Sequence, residues 1–165
     1  MFMEAHFYIT SGPPTLISFM SLLASGGYME VAPYDVELIS IDMLKCHEEV
    51  IPNNVNKRIK KLEKKGFYKP IIIDSKTYVI LDGHHKCKAA LELRLSLVPV
   101  IIFDYLNDDS LRVETWPECG INSITKNEVI EMGISEFLYG PKTSRHLFDF
   151  ELPKIAIPLS ELREK

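Results

Sequence analysis

The stretch LDGHHKCKAA, residues 81–90, leaves a β-rich apolar run, passes through Asp82-Gly83 and enters a helical run at once. Gly83 permits an unusual backbone angle or the close approach of a ligand. The first amides of a helix point outward without an internal partner, and such a terminus attracts anions. His84, His85 and Lys86 add side-chain donors beside those amides, a combination that suits a diphosphate or triphosphate. On these residues alone a second reading stands equally: Asp82 caps the helix and the histidines are merely exposed. A metal site is the weakest of the three, because adjacent histidines point in different directions and rarely bind one ion together.

Outward from this stretch the chain alternates strands and helices without strict βαβ order, which favours an α+β fold. Val36–Ile39 reads as a short strand and Ile41–Leu44 as one helical turn behind Ser40. Val55, Ile59 and Leu62 recur at helical spacing, so Asn54–Lys65 is expected to be an amphipathic helix ended by Gly66. Pro70–Asp74 and Tyr78–Leu81 read as a hairpin joined by Ser-Lys, followed by a helix over Lys86–Leu93. Val98–Phe103 has the near-continuous apolar character of a buried strand, and Leu111–Thr115 reads as another. Thr125 and Glu128 make a capping box for a helix that runs to Met132 and ends at Gly133. Pro141–Arg145 reads as a polar loop, Ile155–Ile157 as a last strand and Pro158–Arg163 as a last helical turn.

The chain has 165 residues, 46% hydrophobic and 25% charged, close to ordinary globular composition. Disorder and collagen-like repeats are excluded. A net charge of −4 argues against a whole-molecule grip on nucleic acid. Cys46, Cys87 and Cys119 lack both disulfide-framework density and CxxC spacing, which points to a reducing cytoplasm. The apolar run Thr15–Ala24 is half of what a spanning helix needs, and MFMEAH has no basic signal-peptide start. Residues 1–28 are therefore expected to form an N-terminal extension. The functional domain spans 29–165, with no membrane association.

Four segments together carry a family resemblance. Strand-DGHH-K-helix resembles the ParB/sulfiredoxin-like superfamily, whose helix N-terminus cradles nucleotide phosphates. Within it, Lys45-Cys46-His47-Glu48, Val113-Glu114-Thr115-Trp116 and Pro141-Lys142-Thr143-Ser144-Arg145-His146 are similar to segments of the archaeal ADP-dependent free L-serine kinases. Cys46 stands where that family has Pro, and Lys86 where it has Arg. The resemblance implies a compact α+β domain, with a small mixed sheet flanked by helices and a phosphate-binding helix N-terminus. It further implies phosphoryl transfer from ADP or ATP to free L-serine, giving O-phosphoserine, with Mg²⁺ accompanying the nucleotide.

The residues divide accordingly. Gly83, His84, His85 and Lys86 would hold the phosphates. Glu48 would take the serine proton. Asp82 would orient the hydroxyl or hold Mg²⁺ through a water, with no direct protein metal site. Arg145 would grip the carboxylate by a two-pronged contact, with Thr143, Ser144 and His146 around it and Trp116 as a wall.

Two rival readings stand beside this assignment. A ParB-like nucleotide switch or DNA-binding module would use the basic run Lys57, Arg58, Lys60, Lys61, Lys64, Lys65 and Lys69. That run also fits the solvated face of a helix. A sulfiredoxin-like reductase needs a reactive cysteine where His84 stands, and Cys87 comes too late.

Overall fold

The computed structural model describes residues 34–163. The expected boundary at residue 28 lies outside the described residues.

Four short strands form a mixed sheet: β1 (Glu37–Ser40), β2 (Ile71–Asp74), β3 (Ile80–Asp82) and β4 (Leu97–Phe103), in the order β1-β4-β2-β3. β2 runs parallel to β4, whereas β1–β4 and β2–β3 are antiparallel. Every residue of β2 is buried, because both faces of the sheet are covered. The period of two sends alternate side chains to different cores. Ile71, Ile73, Ile80, Val98 and Val100 pack with Val55 and Leu62 of α1 (Pro52–Lys65), and with Cys87, Ala89 and Ala90 of α2 (His84–Glu92). Ile72, Leu81, Ile101 and Phe103 pack instead with Val129 and Ile130 of α3 (Lys126–Ile134). A separate ribbon pairs β5 (Leu111–Thr115) antiparallel with β6 (Ser144–Phe148). None of the helices among the described residues is long and apolar enough to cross a membrane.

The α+β expectation holds, with instructive local departures. α1 begins at Pro52, a residue suited to the first helical position because its missing N–H has no partner to lose there. Ser40 makes no side-chain cap, and Ile41–Met43 is a 3₁₀ turn. The β2–β3 connection is longer than Ser-Lys. The Asp74 carboxylate organises it, accepting from the amides of Lys76 and Thr77 and from the Thr77 hydroxyl. α2 starts at His84 rather than Lys86, so both histidines lie in its first turn.

The Thr125–Glu128 capping box is present, but Gly133 does not end its helix. A Cβ there would lie 2.5 Å from a Val79 methyl, so the glycine allows α3 to press against the sheet. The polar loop expected over Pro141–Arg145 becomes strand β6 from Ser144 onward. Ile155–Ile157 forms no strand, only an isolated bridge from Ile157 to Phe67. The last helical turn is the 3₁₀ segment Leu159–Leu162.

Candidate functional site

A cavity of about 560 Å³ opens where β3 passes into α2, and α1 and β6 form its flanks. Gly83 sits at its floor with φ +113°, a conformation that side chains disfavour. A Cβ would also approach Ile71 Cγ1 to 3.1 Å and Lys86 Cε to 3.2 Å. Asp82 does not cap α2, and Gly83 occupies the capping position. The first intrahelical bond runs from the Cys87 amide to the Gly83 carbonyl, so the amides of His84, His85 and Lys86 precede the ladder. The backbone thus has the geometry expected of an anion cradle.

The side chains of that cradle behave differently from one another. His85 Nε2 accepts the Ile51 amide at 3.0 Å, leaving Nδ1 to carry the proton. His84 Nε2 faces the His47 amide at 3.5 Å. Burial pushes both imidazoles below their ordinary range, His84 well below it, so each offers one neutral N–H donor. Lys86 is buried and turned inward. Its Nζ donates to the Pro70 carbonyl at 2.7 Å and lies 3.7 Å from Asp82, while burial lowers its pKa to about 8. The structure therefore gives Lys86 the task of tying α2 to the start of β2, instead of a free ammonium in the cavity. Asp82 is half-exposed at the cavity wall.

Glu48 also lines the cavity, buried at 9% exposure. Its segment is pinned by backbone bonds, Lys45 to Tyr78 and Ile80, His47 and Glu49 to Tyr139. The carboxylate binds the loop before β6. Oε1 accepts the Lys142 amide at 2.6 Å. Oε2 accepts the amides of Thr143 and Ser144 and the Ser144 hydroxyl, at 3.2, 2.9 and 3.0 Å. A carboxylate has about four lone-pair directions, so Oε1 keeps one for a further donor.

The remaining expected residues separate into two groups. Ser144, Arg145, His146 and Trp116 line the cavity. Arg145 lies over the Trp116 ring at 5.1 Å and pairs with Glu114, its cross-strand partner, at 3.3 Å. His146 Nε2 is bonded to the Tyr105 hydroxyl at 2.8 Å, and burial lowers its pKa to about 3. Thr143 does not reach the cavity. It is buried, and its hydroxyl donates to the Gly140 carbonyl. Its contribution is to shape the loop that presents Ser144 and Arg145.

Three lining residues belong to the basic run read above as solvated or DNA-facing: Arg58, Lys61 and Lys69. Tyr68 joins them, with its hydroxyl accepting from Arg58 at 3.3 Å and Lys61 lying 4.0 Å over its ring. Helical spacing marked this face as polar but could not show that a cavity faces it. Besides the inward-turned Lys86, Arg58, Lys61, Lys69, Lys142 and Arg145 make five basic side chains around the cavity, against the two carboxylates Glu48 and Asp82. Such a concentration in a chain of net charge −4 focuses anionic ligands. Cys87 is buried and its thiol is pushed up to about 12, which removes the thiolate a reductase would require. Among the described residues, no group of three or more His, Cys, Asp or Glu side chains is arranged to hold a metal directly.

No family model matches the chain. It is 36% identical over 104 residues to an ATP-dependent L-serine kinase of Staphylothermus marinus, covering 59% of this chain and 41% of that protein. It is 29% identical over 117 residues to an ADP-dependent L-serine kinase of Thermococcus kodakarensis, covering 64% and 47%. A ParB-like protein of Sulfolobus acidocaldarius is 42% identical over 83 residues, covering 50% and 41%. The chain thus spans less than half the length of these curated relatives. Its fold matches a free serine kinase solved with AMP, with a TM-score of 0.70 at 20% identity over 78% of this chain and 94% of that one.

Proposed function

We propose that this chain, a member of the ParB-like superfamily, is a phosphotransferase that moves a phosphoryl group from ADP or ATP to the hydroxyl of free L-serine. The observation that carries this reading is the cationic cavity of an acidic chain, walled on one side by a glycine-opened helix start and on the other by Arg145 and Trp116. Relatives named as L-serine kinases, dependent on ATP or on ADP, support it.

Phosphoryl transfer needs neutralised phosphates, a positioned acceptor and a destination for its proton. The amides of His84, His85 and Lys86 and the neutral imidazole N–H groups hold the phosphates. Arg145 exchanges its exposed Glu114 partner for the substrate carboxylate, and Trp116 closes that side. The serine oxygen attacks the terminal phosphorus, the bond to the departing nucleotide breaks, and the serine proton passes to the free lone pair on Glu48 Oε1. Mg²⁺ with the nucleotide would add charge neutralisation. Asp82, an accessible carboxylate at the cradle, has the hard oxygen chemistry to hold that ion through water. Residues 1–28 play no part in this scheme, so a protein starting at Met29 keeps its activity.

The test is incubation of the purified protein with serine, Mg²⁺ and either ADP or ATP, followed by detection of O-phosphoserine. Formation with at least one nucleotide is the expected result. Its absence with both, in a folded protein that binds nucleotide, overturns the assignment.

A further inference from the structure

We propose that His47 is a positioning residue that holds two walls of the cavity in register: the donor wall at the start of α2, assigned to the phosphoryl donor, and the acceptor wall of Glu48, Trp116 and the start of β6, assigned to serine. This rests on the serine-kinase reading above and adds a residue to it. His47 does not line the cavity, and no solvent reaches it. Its Nδ1 is buried and makes no well-formed hydrogen bond, although the Ile80 backbone acts on the ring. Burying an imidazole that way is costly, and an apolar side chain of similar size would fill the space without that cost. The ring is therefore explained by what its other nitrogen does.

His47 Nε2 lies 2.7 Å from Ser144 Oγ, which in turn lies 3.0 Å from Glu48 Oε2. The serine hydroxyl has one proton, and the carboxylate can only accept. The hydroxyl therefore donates to Glu48 and accepts from His47 Nε2–H. This fixes the tautomer and makes a directed chain from His47 through Ser144 to Glu48. Burial lowers the pKa of His47 to about 4, in keeping with a neutral ring that serves as a single donor. The same residue reaches the donor wall. Its ring meets His84 edge-on, with centroids 4.5 Å apart at 80°, and its amide points to His84 Nε2. Its carbonyl accepts the Tyr139 amide at 2.9 Å, which anchors the loop leading to β6. One buried residue, adjacent in sequence to Glu48, thus touches the first turn of α2, the start of β6 and the approach to β6.

A residue acting in this way should alter the chemical step more than either binding step. In His47→Phe, which keeps an aromatic ring but removes both nitrogens, we expect kcat to fall about tenfold to a hundredfold with both KM values little changed, as a small misplacement of reacting groups would produce. His47→Gln can again donate toward Ser144 and should restore most of kcat. Melting temperatures control for folding. Full kcat in a folded His47→Phe, a loss confined to KM, or a folded His47→Gln no better than Phe would each overturn the proposal. A second measurement does not need catalysis. In ¹⁵N NMR of the imidazoles, the His47 Nε2 signal should report a protonated nitrogen and move in Ser144→Ala, and His84 should shift in His47→Phe. A wild type that makes no O-phosphoserine would sink the kinase reading, while these spectra would still decide the role of His47. A bare Nε2, or signals indifferent to either substitution, overturns it.

Discussion

The two walls of the cavity face one volume but are built in opposite ways. The donor wall is local. Residues 81–86 supply its strand end, its glycine and its free amides in one unbroken run. The acceptor wall is assembled from distant parts. Glu48 reaches a loop almost a hundred residues further along the chain, and Trp116 and Arg145 meet because β5 and β6 pair. The donor wall presents backbone amides that the helix geometry leaves free, beside histidine and lysine side chains that are bonded within the protein. On the acceptor wall, the carboxylate of Glu48, the hydroxyl of Ser144 and the ring of His146 already have partners within the protein. A ligand at the donor wall meets free amides, whereas a ligand at the acceptor wall joins or displaces existing bonds.

Glu48→Gln attacks that difference most directly. The amide removes the proposed proton acceptor, so turnover should fall by about 10²–10⁴. It also turns an N–H toward loop donors that now bind a carboxylate, so the serine KM should rise as well. Steady-state kinetics with serine and nucleotide varied separately would show both effects. Retention of full turnover would transfer the role of base to Asp82.

Arg145→Lys probes the acceptor wall alone. It keeps the charge but loses the proposed two-pronged grip on the substrate carboxylate, and a charge-assisted hydrogen bond contributes about 1.5–3 kcal/mol. Serine affinity should fall roughly tenfold or more while nucleotide affinity holds, as titration calorimetry can measure. The reverse pattern would mean that the walls are assigned the wrong way round.

Gly83→Val probes the donor wall. At φ +113°, with Ile71 and Lys86 already close, the side chain strains the turn by about 1–3 kcal/mol and obstructs the amides. Melting temperature and nucleotide affinity should both fall, while serine binding changes little. Unaltered nucleotide affinity in the folded variant would remove the cradle from the mechanism.

A further effect concerns acid, and is read on stability alone. His47 and His146 have pKa values of about 4 and about 3, both lowered chiefly by burial. Folding therefore favours their neutral forms. The stability they contribute is complete above the unfolded value near 6.5 and is lost as pH falls toward 4 and then 3. Melting curves should show a decline beginning below about pH 6.5. A profile that stays flat to about pH 4 would mean that these rings are not held neutral by the fold.

Much of the scaffold was readable without coordinates, because its signals are local. The spacing of Val55 and Leu62, the apolar run of β4 and the Thr125–Glu128 box each depend on near neighbours. Gly133 misled for an informative reason. A glycine that ends a helix and one that admits a neighbouring methyl look alike in sequence, and only the position of Val79 separates them. The segment after Pro141 was polar enough to read as a loop, yet it pairs because β5 offers it an open edge.

The sequence by itself determined the α+β class, the strand–glycine–helix passage and the identity of many groups around it, since backbone geometry at Gly83 and periodicity along each element are properties of short segments. Only the tertiary structure decided what those groups do. It turned Lys86 inward to the Pro70 carbonyl, brought Arg58, Lys61 and Lys69 to the cavity, withdrew Thr143 from it, and set His47 between Ser144 and His84. The physical reason is that a polar side chain is directed by the partner it meets when water is removed, and such partners are distant in sequence.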